Sequence, residues 1–151
     1  MEASNQNVTF PYEACLSLAR ALWALSTGIT GTYQPARISA AQTAVKEWQG
    51  KFRQDFDQRM TTSISDASGV AGSLQAAAKG LAAQWAQANY QQQQYNYARA
   101  VQHKRDSKSG WDKVGDWFGG DNTNYGSPPK PPEVPQPPGF APTQVPQGNV
   151  P

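Results

Sequence analysis

Apolar residues recur through the first part of the chain at helical intervals. Cys15, Leu18, Leu22, Leu25 and Ile29 are separated by alternating steps of three and four, the spacing that keeps side chains on one helix face. A second series, Tyr12, Leu16, Ala19 and Trp23, lies about 110° away around the same helix. Gly28, Gly31 and Pro35 then interrupt the segment, and Pro35 suits the first turn of a fresh helix. Ile38, Ala41, Val45 and Trp48 continue the pattern as far as Gly50, which suits a left-handed cap. A second helix is expected from Lys51. There Phe52 and Phe56 lead into Met60, Ile64, Ala67, Ala71, Leu74, Ala78, Leu81, Trp85 and Ala88. From Met60 the steps alternate four and three, a heptad seam held for about four heptads. Ala fills four of the nine seam positions, with Gly69, Gly72 and Gly80 nearby, so a close helix–helix approach is expected along it.

These patterns divide the chain. Residues 1–10 read as a flexible N-terminus and residues 11–104 as a helical hairpin. Residues 105–125 form a short Trp-rich segment, in which Trp111, Val114, Trp117 and Phe118 share an arc of about 120° opposite Asp112, Lys113 and Asp116. Residues 126–151 hold ten of the twelve prolines and read as an extended, disordered tail with almost nothing to bury. The expected fold is all-α. It is an antiparallel hairpin of two long helices, the first broken near Pro35, with a short C-terminal amphipathic helix.

Charge is distributed oddly for helices in water. Residues 37–59 and 99–116 each hold eight of the 24 charged side chains. Residues 60–98 hold only Asp66 and Lys79, and residues 11–36 only Glu13 and Arg20. An outward helix face normally carries charge, and two antiparallel helices bury one stripe each without enclosing a core. The doubled stripe on the first stem and the weakly charged second stem therefore point to a protein partner, as a homo- or heterodimer through helices. Tyr12, Leu16, Trp23, Trp48, Leu74, Leu81, Trp85, Trp111, Trp117 and Phe118 are the expected contact residues. The alternative cover is residues 95–118 folding back, where Tyr95 and Tyr97, like Tyr90 just before them, suit an interface edge.

Other chemistry is sparse. A net charge of +2 is too small for the basic stripe that nucleic-acid binding requires. No apolar run is long enough to span a bilayer, and the polar start reads as lacking a cleaved signal peptide. The single cysteine, Cys15, forms no internal disulfide, and with the single histidine, His103, it makes no zinc site. The apolar setting of Cys15 marks a buried, inert thiol, and His103 lies in a solvated charged patch. No phosphate loop, nucleophile elbow or metalloprotease motif occurs, and Asp55 and Asp57 diverge on a helix. No cofactor, metal, small-molecule substrate or enzymatic activity is expected.

A helix, the turn Trp48-Gln49-Gly50, and a second helix opening with Phe52 and Phe56 resemble the WXG family. Its members are small helical-hairpin proteins exported by type VII secretion in actinobacteria and firmicutes. Residues 41–56 carry the motif, and the two-stem layout extends the similarity over residues 11–100. The resemblance implies that Trp48 packs at the hairpin end, often in a partner's groove, and that Gly50 permits the tight turn. It further implies a protein that is cytoplasmic before export and secreted without a cleaved signal, acting as substrate, escort or effector-pairing module of the secretion machinery. The family's Tyr-x-x-x-Asp/Glu signal is absent, since Tyr90, Tyr95, Tyr97 and Tyr125 are followed four residues on by Gln94, Arg99, Val101 and Pro129. A paired protein would then supply it. Competing readings are a cytoplasmic structural, adaptor or phage assembly protein that oligomerises through its helices and recruits a partner by its proline tail, and a membrane-surface anchor at residues 99–118. Two helical turns carrying about three net positive charges are little for such an anchor.

Overall fold

The computed structural model describes residues 7–107 and 125–141. All regular structure among these residues is helical: α1 (Tyr12–Gly28), a π-helical turn (Ile29–Tyr33), α2 (Gln34–Ala44) and α3 (Lys51–Asp106). No described helix is long and apolar enough to cross a membrane. The chain divides into two compact units, one built around residues 11–84 with 135–141, the other around 85–107 with 7–10 and 125–134.

In the first unit α1 begins directly after Pro11, whose carbonyl accepts the Cys15 N–H at 2.9 Å. Glu13 stands in the first turn, where the helix dipole favours negative charge. Of the two apolar series on α1, the one from Tyr12 faces inward. Leu16 and Ala19 are buried, Tyr12 and Trp23 half-buried, and Ser26 continues the line at zero exposure. The Ser26 hydroxyl has no hydrogen-bond partner among the described residues. Cys15 joins this face, its thiol donating to the Leu81 carbonyl at 3.2 Å.

The expected break near Pro35 is instead a change of hydrogen-bond pattern. Proline lacks an N–H, and its ring collides with the carbonyl four residues earlier in an α-helix. The chain answers by widening one turn just before it, where the Gln34 N–H reaches back five residues to the Ile29 carbonyl. Backbone angles stay helical through Gly28 and Gln34, so α1, the π turn and α2 form one continuous path.

Along α3 none of the nine seam residues is exposed: Ala71, Ala78, Trp85 and Ala88 are buried and the other five half-buried. The glycines do not serve close approach. Gly69, Gly72 and Gly80 are exposed, with open space where a Cβ would stand. The rest of this outer face is mostly small and weakly charged, with Asp66 and Lys79 the exposed charges between residues 60 and 98, and Thr61, Thr62 and Ser73 return their hydroxyls to carbonyls four residues earlier.

The first stem is tied to α3 at several levels. Gln34 donates to the Ile64 carbonyl at 3.1 Å, Arg37 to the Ser63 hydroxyl at 2.9 Å, and Lys79 stands 5.7 Å from the centre of the Trp23 ring. The proline-rich segment also takes part, against the expectation of a tail with nothing to bury. Phe140 has no exposed surface, packs edge-on against Trp23 at 6.0 Å, and lies in the left-handed region with φ +43°.

In the second unit the polar run after Tyr90 is organised by Gln92, which is only 4% exposed. Its side chain accepts from the Val8 N–H at 2.9 Å and donates to Asn7 at 3.1 Å and Asn96 at 3.0 Å. Arg99 donates to the same Asn7 and Asn96 oxygens. Asn7 and Val8 are thus hydrogen-bonded to α3. Tyr97 donates to the Gly126 carbonyl at 3.4 Å, and Arg105 stacks over Tyr125 at 5.4 Å. Residues 125–136 contain no helix or strand, in keeping with their prolines. The expected C-terminal amphipathic helix, with Trp111, Trp117 and Phe118, lies outside the described residues.

Candidate partner-binding surface

The turn between α2 and α3 is fixed by its backbone. Val45 and Trp48 close tight turns, with the Trp48 N–H donating to the Val45 carbonyl at 3.0 Å. Gly50 follows at φ +73°, a conformation that costs L-residues energy and glycine none. Arg53 secures the turn from α3. One guanidinium nitrogen donates to the Val45 carbonyl at 2.7 Å while Nε pairs with Asp57 at 2.9 Å. Val45 is buried beneath this arrangement at 1% exposure. Trp48 packs edge-on against Phe56, with centroids 5.8 Å apart, yet remains 50% exposed, and Phe52 is 82% exposed. Trp48 in the turn and Phe52 in the first turn of α3 are therefore both presented to solvent.

A second apolar surface lies on α1 and the π turn. Leu18 and Leu25 are each 50% exposed and Tyr33 67% exposed. Leu18 and Leu25 are the exposed members of the series from Cys15, whose other residues are buried or half-buried, and the nearest charges along this stem are Glu13, Arg20 and Arg37. Large exposed apolar side chains on one face mark interaction surfaces more often than isolated ones do.

The residues expected from sequence to meet a partner are used differently. Leu16 and Trp85 are buried within the chain; Tyr12, Trp23, Leu74 and Leu81 are half-buried; only Trp48 among the described ones stands half open. Trp111, Trp117 and Phe118 lie outside the described residues. Among the described residues, Leu18, Leu25, Tyr33, Phe52 and Val70 are the exposed large apolar ones left out of that set. The first two were visible as the other stripe of α1, but periodicity alone does not say which of two stripes turns inward.

The chemistry elsewhere is quiet. Among the described residues no group of three or more His, Cys, Asp and Glu side chains is placed to hold a metal ion. Burial pushes the Cys15 thiol and the Tyr12 phenol above their ordinary pKa values, which suppresses the nucleophilic thiolate. A cleft of about 550 Å³ in the second unit runs between Trp85, Asn89 and Tyr90 on one side and Pro129–Glu133 on the other. The chain matches no family model, no curated protein and no solved structure.

Proposed function

We propose that the chain is a non-enzymatic, WXG-like helical-hairpin protein that pairs with a second helical chain and is exported with it by type VII secretion. The observation that carries this reading is the turn itself. Gly50 adopts the positive φ that a Trp-x-Gly tip needs, and Trp48 is left half open beside an exposed Phe52. An antiparallel hairpin is supported by the order of the ties between the stems. As the first partner advances from Cys15 through Gln34 and Arg37 to Val45, the second falls from Leu81 through Ile64 and Ser63 to Arg53. Leu18, Leu25 and Tyr33 on one stem, and the weakly charged outer face of α3 on the other, support a partner helix as the remaining cover. In this reading the protein waits in the cytoplasm, leaves without a cleaved signal, and takes its export signal from the paired chain.

The test is co-expression with Trp-x-Gly proteins encoded beside this chain, followed by Trp48→Ala. Aromatic anchors at interfaces are worth at least about 2 kcal/mol. Trp48→Ala is expected to weaken binding by that much while the unbound chain melts almost as before. A compact monomer that melts cooperatively at micromolar concentration and pairs with no such neighbour overturns the reading.

A further inference from the structure

Residues 135–141 are joined to α1 by a small set of specific contacts. Gln136 to Phe140 form a closed turn, with the Phe140 N–H donating to the Gln136 carbonyl at 3.0 Å. The turn points two successive carbonyls at one side chain: Arg20 Nε donates to the Gly139 oxygen at 2.7 Å and Nη2 to the Phe140 oxygen at 3.3 Å. One helical turn further along α1, the half-buried Trp23 receives the Phe140 ring at 6.0 Å and an interplanar angle of 77°. Lys79 stands over the Trp23 ring from α3. The Phe140 side chain is fully enclosed, although its backbone is held in a region that few L-residues adopt.

This is how peptide-recognition sites are built. Main-chain groups are read by a charged donor, one aromatic side chain fills an apolar seat, and prolines at 135, 137 and 138 reduce the entropy lost on ordering the segment. We propose that Arg20, Trp23 and Lys79 form a binding seat for a turn-forming peptide that contains Gly–aromatic, and that the chain carries its own ligand in residues 135–141. One ring and two carbonyls make a weak ligand as a separate molecule. Tethered, it is present at an effective concentration of about millimolar, so the seat is closed at rest and opens when the tail is drawn elsewhere. The seat's chemistry is independent of the partner that meets the Trp48 turn, so loss of pairing there leaves this proposal standing.

The test uses the full chain with Phe140→Ala and a blocked synthetic peptide of residues 134–141, followed by isothermal titration. Saturable binding to F140A is expected, at least tenfold tighter than to the wild-type chain, whose seat is already filled. A peptide with Ala in place of Phe is expected not to bind, and adding Arg20→Ala to the receptor is expected to weaken binding at least tenfold. If F140A has lost helicity, recovery of its circular dichroism on adding the peptide supports the seat equally. Absence of both saturable binding and recovery at millimolar peptide overturns the proposal. So does binding that is unaffected by the Phe-to-Ala change in the peptide.

Discussion

Gly50 lies at φ +73° with nothing within 4 Å of where a Cβ would stand. Space is therefore not what selects glycine there; backbone conformation is. A left-handed residue with a side chain costs about 1–2 kcal/mol, most for a β-branched one. Gly50→Val is expected to lower the stability of the chain by that amount, measured by urea unfolding. Cys15 gives a pH dependence of opposite origin. Its buried thiol donates to the Leu81 carbonyl, and ionisation would remove the donor and leave a charge among apolar neighbours. Both Cys15 and Tyr12 have raised pKa values in the folded chain, so the folded state holds those protons more tightly than the unfolded one. Their contribution to stability is complete below the pH at which an unfolded thiol ionises, about 8.5, and is lost as pH rises through the folded values. The unfolding midpoint is expected to decline in alkaline buffers above that pH, and Cys15→Ser is expected to flatten the thiol's share of the decline.

Among the helices, the π turn has a geometric role that the periodicity reveals. The inward residues of the first stem run Leu16, Ala19, Trp23, Ser26 and Ile29, then Gln34, Ile38, Ala41 and Val45. Every step is three or four except the one across the turn, which is five. One residue is extra, and it lets Pro35 follow without meeting the Gly31 carbonyl. Deleting the exposed Thr32 together with Pro35→Ala is expected to leave a regular helix in register, with stability within about 1 kcal/mol of the parent. Deleting Thr32 alone is expected to cost about 3 kcal/mol, as for proline inside an α-helix; thermal melts of the pair distinguish the two. The sequence gives no period for such a turn, so Gly28, Gly31 and Pro35 read as a break. The seam from Met60 to Ala88 was legible throughout, because a long heptad run has one low-energy way to be buried. The outward position of Leu18 and Leu25 was not, because two equivalent stripes compete and tertiary contacts choose between them.

For the molecule as a whole, the proline-rich segment is where sequence reasoning fell short. Prolines and glycines without periodicity indicate irregular backbone, and from Tyr125 to Gln136 neither helix nor strand is found. A single aromatic residue among them, Phe140, was enough to anchor residues 135–141. The signal was its isolation, one large apolar side chain in an otherwise polar and proline-rich stretch. Truncation of a buried Phe costs about 3 kcal/mol or more. Removing residues 135–151 is expected to lower the stability of the first unit by about as much as Phe140→Ala does, read by calorimetry. Combining truncation with Trp23→Ala is expected to cost less than the sum, because the two changes share one contact. The turn between α2 and α3 is local, by contrast, and Gly50 stands there at the positive φ that glycine accepts.

The contact between Arg20 and Phe140 spans 120 residues of sequence, and that separation is also an interval of time. Synthesis runs at about 5–20 residues per second, so roughly 6–24 s pass between the making of Arg20 and the making of Phe140. During that interval Trp23 lacks the edge-on cover that Phe140 gives it in the finished chain. Any chaperone or co-translated subunit that recognises this aromatic seat meets it before the chain's own ligand exists, and once the tail is complete it must compete with that ligand.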